Sequence, residues 1–238
     1  MTDDDTSLAD LWDRVTGTQA APTSWLIAAT AAAALAAVLS PAPWRLLRNA
    51  VTIAHEGGHA LVALLSGRQL TAIRLHSDTS GLTVSRGKPH GPGMVLTAAA
   101  GYTAPALLGL AGAWLLAAGH ITALLWGAIA LLALMLPKIR NAYGVLSVLV
   151  TGAAFFLISW FADAEVQAVF AYAAVWLLLI GGVRPVHELQ RKRAHGRAPD
   201  SDADQLARLT RTPAALWLLL FYAVSLGALA GGARLLVA

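Results

Sequence analysis

Two histidines one helical turn apart with a glutamate beside the first, His55-Glu56-Gly57-Gly58-His59, are the residues of this chain whose types and spacing could do chemistry. On an α-helix, residues i and i+4 share a face, so the two imidazoles can reach one metal ion. Zinc held there would acidify a water and polarise a carbonyl, and Glu56, next to the first ligand, could take the proton and hand it to a leaving amine. With 7 His and 3 Glu in 238 residues, chance supplies this HExxH pattern roughly 0.003 times per chain of such composition. The bland alternative is a pair of buried histidines hydrogen-bonded to neighbouring helices.

The elements around the motif are apolar. The chain is 57% hydrophobic and 13% charged, with a mean hydropathy of +0.62, a balance that places it in a bilayer rather than in water. Seven apolar segments lie at about 24–40, 47–66, 94–118, 121–136, 143–162, 166–183 and 213–237. The motif falls inside the second, where ionisable residues are expensive and therefore a functional hypothesis by default. The expected fold class is an all-α polytopic membrane protein of about seven transmembrane helices with a small interfacial β-hairpin.

Seven crossings put the termini on opposite sides. All of the 17 Lys and Arg except Arg45, Arg48 and Arg234 then lie on the side of the N-terminus, so the positive-inside rule predicts a cytoplasmic N-terminus and an external C-terminus, in what is expected to be a bacterial plasma membrane. Residues 1–23 read as an acidic cytoplasmic tail without the basic region of a signal peptide, and 24–237 as a single membrane domain. The basic residues sit in loops between spans and form no compact face, which argues against nucleic acid and for membrane orientation. No cysteine is present, which excludes thiolate ligands and thiol nucleophiles.

Between the second and third segments, residues 69–87 alternate apolar and polar side chains on either side of Ser77-Asp78-Thr79-Ser80-Gly81. That pattern predicts a β-hairpin with Gly81 available for a positive φ. An edge of this hairpin, with Arg74, Leu75 and Val84, is the expected docking place for an extended substrate strand. In the basic loop 184–212, Ser201 is a plausible helix N-cap with Asp202 and Asp204 in the first turn. Asn141, where a loop enters the fifth segment, is a candidate for holding a substrate carbonyl or the backbone near the metal, with interfacial capping as the plainer role. Trp25, Trp44, Trp160 and Trp217 read as interfacial anchors, and His76, His90 and His120 as interfacial side chains.

Ala54-His55-Glu56-Gly57-Gly58-His59-Ala60 in an apolar helix followed by a hairpin resembles the site-2 protease family of intramembrane metalloproteases. The resemblance is good over roughly 49–102 and loose elsewhere. It implies a Zn²⁺ ion bound by His55, His59 and an aspartate from a later segment, usually within an Asp-Gly pair. None of the ten Asp is followed by Gly. Ser-Asp-Ala-Asp-Gln-Leu before the terminal helix resembles a segment of the compact bacterial branch, which ranks Asp202 first, provided that its loop folds back into the membrane. Asp204, Glu188, His187, Asp78 and Asn141 stay open as alternatives.

The reading is a zinc-dependent endopeptidase with Glu56 as catalytic base, acting on a membrane-anchored protein. Its main rival is a non-catalytic membrane scaffold or chaperone of the same architecture, distinguished by the lack of a carboxylate or imidazole within reach of the histidine pair. A transporter would need a file of polar residues across several spans, and these segments have almost none outside the second.

Overall fold

A computed structural model describes residues 12, 13, 15–196 and 200–238; most of the acidic tail lies outside the described residues. Helix α1 (Ser24–Leu39) and helix α2 (Pro41–Leu65) are separated by Ser40 alone and meet at a bend of 103°. The cause is local: Pro41 cannot donate to the preceding turn and pushes the residue before it out of the helical region, and Ser40 is extended, with φ −84° and ψ 131°. Strands β1 (Gln69–Leu75) and β2 (Gly81–Arg86) follow, then α3 (Pro92–Ala117), α4 (Ile121–Met135) with a 3₁₀ turn to Lys138, α5 (Ala142–Phe161), α6 (Ala164–Ala194), the short α7 (Asp202–Thr210) and α8 (Ala214–Val237).

Among the described residues five helices are long and apolar enough to cross a membrane, α3 to α6 and α8, with α4 counted through its 3₁₀ turn, and the bent α1–α2 pair makes up to six. The structure supports an all-α polytopic membrane protein with five to six candidate spans in place of the expected seven, because the first two apolar segments meet at the 103° bend. The reason is in α2, which is amphipathic and carries Arg45, Arg48, Asn49, His55, Glu56 and His59 along its length.

Helix α3 is the centre of the bundle. Its small residues, Ala98, Ala100, Gly101, Ala106, Gly109 and Ala113, are buried and let α2, α6 and α8 approach closely. A Cβ at Gly109 would lie 2.9 Å from the Leu179 side chain on α6, and one at Gly58 on α2 would lie 2.3 Å from that of Ala104 on α3. Of the two motif glycines, then, Gly58 is demanded by the α2–α3 crossing; Gly57 meets only Met135 at an ordinary 4.0 Å.

The hairpin pairs Gln69 with Arg86 through Leu75 with Gly81, antiparallel, with a bulge between Leu70 and Ala72. Its turn departs from expectation: the left-handed residue is Thr79, at φ 65°, and Gly81 starts β2. Asp78 stabilises that turn by accepting from the Ser80 hydroxyl at 2.6 Å and from its N–H at 2.9 Å, and these bonds hold its carboxyl below the usual range. Ile73 and Leu75 are fully buried with Ile53, Met135 and Ile139, which fixes the hairpin against α2, the helix that carries His55, Glu56 and His59. Trp44, expected as an interfacial anchor, is instead 3% exposed and donates to Glu188 at 3.1 Å.

Candidate metal centre

Three elements deliver the site. On α2, His55 and His59 lie one turn apart with their rings edge to face, their Nε2 atoms 3.1 Å from each other. Asp202, the first residue of α7, brings Oδ2 to 3.4 Å from His55 Nε2 and 3.2 Å from His59 Nε2. Helix α3 supplies the wall: a Cβ at Gly101 would lie 2.3 Å from His59 Nε2 and 2.6 Å from His55 Nε2, so only glycine leaves the imidazoles their room.

This set suits a metal ion. Tetrahedral zinc with Zn–N and Zn–O bonds of about 2.0–2.1 Å spaces its ligand atoms about 3.3 Å apart, and the three observed separations bracket that value. Two Nε2 atoms facing each other with a carboxylate oxygen form a poor closed hydrogen-bond set but a good set of converging donors for a cation. His59 Nδ1 lies 2.7 Å from the Thr97 carbonyl; with the proton on Nδ1, that bond turns the Nε2 lone pair to the convergence point. Burial opposes the charge on Asp202, yet the His59 and His55 imidazoles prevail and hold its carboxyl well below the usual carboxylate range.

Glu56 is 3% exposed and stands beside the triangle, Oε1 3.9 Å from His55 Nε2. Its other oxygen accepts from the Thr83 hydroxyl of β2 at 2.6 Å. The hairpin therefore aims the carboxylate as well as following it in sequence. Gly81 closes the contact, since a Cβ there would fall 2.3 Å from Glu56 Oε1.

Asp202 reaches this depth because α7 folds back onto the bundle. Ala203 and Leu206 are fully buried against Ala98, Val186, Leu189 and Phe221, and Ser201 caps the helix by accepting from the Asp204 N–H at 3.4 Å, while its hydroxyl donates to Asp204 Oδ2 at 2.6 Å. Arg193, near the end of α6, bonds to the Ser201 hydroxyl at 3.3 Å and to the Asp204 carboxylate. Burial works against the charge on Asp204, but Arg193 and Ser201 hold its carboxyl below the usual range. Arg193→Ala is accordingly expected to loosen the N-terminus of α7 and weaken metal retention about tenfold, the usual scale for a group that orients a ligand. Arg193→Lys should restore part of the loss, and titration with a graded series of chelators measures it.

The other sequence candidates are engaged elsewhere. Glu188 pairs with Arg48 at 3.2 Å and Arg184 at 3.0 Å; His187 lies 3.4 Å from the Tyr222 hydroxyl; Asp78 stays in the hairpin turn. Asn141 exchanges two hydrogen bonds with the backbone of Leu75, accepting at 3.2 Å and donating at 2.6 Å, so its amide fastens β1. Leu75 is fully buried, whereas Arg74 is exposed and Val84 is 39% exposed on β2. Sequence reasoning missed Thr83, Thr97 and Gly101. Only Gly101 left a signal, at the end of the small run Ala98-Ala99-Ala100-Gly101 that marks a close helix approach.

Long apolar helices packed around a His-Glu-His helix, with an aspartate folded back to meet it, define an integral membrane protein with a candidate metal centre of the metallopeptidase kind. The chain matches the Peptidase M50B-like family over residues 28–232 and belongs to that family, the site-2 protease family. No curated protein and no solved structure matches it.

Proposed function

We propose that this protein is an intramembrane zinc endopeptidase that hydrolyses peptide bonds of membrane-anchored protein substrates, the chemistry of regulated intramembrane proteolysis. The observation that carries the proposal is the triangle of His55 Nε2, His59 Nε2 and Asp202 Oδ2, with sides of 3.1 to 3.4 Å, beside the buried Glu56. His55, His59 and Asp202 would hold the metal, which when bound would supply a Lewis acid for activating water and polarising the scissile carbonyl. Glu56 takes the proton of the attacking water and returns it to the leaving nitrogen, and Thr83 keeps its carboxylate in place. A non-catalytic scaffold is disfavoured because Asp202 does lie within reach of the two histidines.

Substrate approach is best served by β2. The outer edge of β1 is taken by the segment at Ile139, which bridges Ile73, by the Arg140 N–H donating to the Ile73 carbonyl at 2.9 Å, and by Asn141. Among the described residues β2 has no neighbour beyond β1. A strand added along Gly81–Arg86 would run past the Thr83–Glu56 contact with its freed backbone groups re-paired. In this reading Val84 lies on the substrate edge, while Leu75 and Asn141 support it from behind and Arg74 faces solvent.

The orientation we propose has six crossings. Gln19 donates its backbone N–H to the Gly119 carbonyl at 2.8 Å, and its side chain accepts from Thr122 at 3.1 Å, while Arg184 on α6 bonds to the Val38 carbonyl at the far end of α1. Helix α1 thus runs from the α3–α4 turn to the level of the metal centre, and both termini fall on one side. Among the described residues every Lys and Arg except Arg234 then lies on the other, which makes that face cytoplasmic and the outer ends of α1 and α8 external. Two readouts test the function. The purified protein should hold about one Zn²⁺, and His59→Ala or Asp202→Ala should lose it, because two ligands make too weak a site. Zinc content unchanged in both variants would sink the metal assignment.

A further inference from the structure

The cavity at the candidate metal centre, about 250 Å³, is lined by His55, Glu56 and Asp202 together with Tyr102 of α3 and Arg48 of α2. Tyr102 is also in the wall of an adjoining cavity of about 230 Å³, which shares Arg48 and Pro185 with the first. Its ring is clamped edge-on to His55, with centroids 4.8 Å apart, and stacks on Phe221 of α8 at 5.1 Å. These two aromatic contacts, one edge-on and one stacked, leave the ring little freedom. Among the described residues its hydroxyl has no hydrogen-bond partner. A partly buried phenol in the wall of a polar cavity, held by two ring contacts and without a hydrogen-bond partner among the described residues, is unusual, because Tyr O–H groups in protein interiors normally find an acceptor.

Resting on the proposed hydrolysis, we infer that Tyr102 is a further catalytic residue, whose hydroxyl donates a hydrogen bond to the carbonyl oxygen of the scissile peptide as that oxygen becomes an oxyanion. In balance, the water oxygen bonds to the carbonyl carbon while one water proton passes to Glu56. The carbonyl π pair moves onto the oxygen, where the Tyr102 O–H meets it. The carbon–nitrogen bond then breaks as Glu56 gives its proton to the departing amine. Tyr102 keeps its own proton throughout. The placement suits the role: Tyr102 lies one residue after Gly101, whose missing side chain seats the metal-binding imidazoles, so one turn of α3 sets both metal ligands and donor. A fixed donor that meets charge only as it develops is worth about 10²–10³ in rate.

Tyr102→Phe keeps the ring, its contact with His55 and its stack on Phe221, and removes the hydroxyl alone. On a membrane-anchored reporter the variant is expected to lose about 100-fold in kcat with KM within about twofold, because the contact forms in the transition state and not with bound substrate. Zinc content should match wild type. A second measurement needs no turnover: a phosphinic peptide, which mimics the tetrahedral oxyanion, should bind zinc-loaded Tyr102→Phe protein about 100-fold more weakly, while the parent uncleavable peptide binds both proteins alike. Wild-type kcat and wild-type phosphinate affinity in Tyr102→Phe would overturn the assignment with the peptidase reading intact. Zinc-loaded wild type that cleaves no reporter would instead count against the peptidase reading, and the phosphinate comparison would still decide the role of Tyr102.

Discussion

Replacing Glu56 with Gln is expected to leave the zinc in place and to lower cleavage of a membrane-anchored reporter by about 10²–10⁴-fold, the range that a positioned general base supplies. The two halves of this result have separate causes. The metal triangle is made by His55, His59 and Asp202, and Glu56 comes no nearer than 3.9 Å to His55 Nε2, so the amide removes no ligand. The amide oxygen can still accept from the Thr83 hydroxyl, now 2.6 Å from the carboxylate, so the hairpin stays docked. Only the capacity to accept a proton is lost. Glu56→Asp makes the complementary test: it keeps the base but withdraws it by one methylene, and a misplacement of about 1 Å can cost about 10²-fold. Zinc content, measured beside single-turnover cleavage, separates loss of chemistry from loss of the site. Normal cleavage by Glu56→Gln would remove Glu56 from the mechanism.

What the chain discloses before it folds divides along physical lines. The common face of His55 and His59 follows from the pitch of an α-helix, and the alternation through Ile73-Arg74-Leu75 and Leu82-Thr83-Val84 announces a hairpin because strand side chains point alternately to opposite faces. Both are local facts. The bend at Ser40 was signalled by Pro41 and Pro43, but a hydropathy reading treats two apolar stretches on either side of a proline as two spans, and only their packing joins them as one bent unit. The fold-back of α7 is harder still. Its buried face consists of Ala203 and Leu206 in a nine-residue helix otherwise rich in polar side chains, too short for periodicity to reveal, and Asp202 was singled out through likeness to a family and not through any local pattern. Thr83 and Thr97 act through one hydroxyl and one backbone carbonyl, whose roles depend wholly on what the fold lays opposite them.

Gly101→Ala is the sharpest test of the metal centre, because two effects of opposite sign act at one atom. In a helix interior, Ala is favoured over Gly by about 1 kcal/mol, so on propensity alone the substitution should stabilise α3. The new Cβ, however, would sit 2.3 Å from His59 Nε2 and 2.6 Å from His55 Nε2, where ordinary contact needs at least 3.4 Å. Something must yield by roughly 1 Å. The backbones of α2 and α3 are poorly placed to do so, since they already touch at Gly58, where a Cβ would lie 3.0 Å from the Ala100 carbonyl. The imidazoles can yield, being the tips of rotatable side chains. Metal sites tolerate ligand displacements of about 0.2 Å, so a swing several times larger should empty the centre while the fold remains. The expected result is a protein with unchanged or slightly raised thermal stability, zinc affinity down by about 10²-fold or more and cleavage lost in proportion. Gly127→Ala, on α4 where a Cβ meets nothing within 4 Å, is the control and should retain its metal. Full zinc loading in Gly101→Ala would mean that the metal-binding nitrogens do not converge beneath α3, and the site would have to be sought elsewhere on the helix that carries His55 and His59.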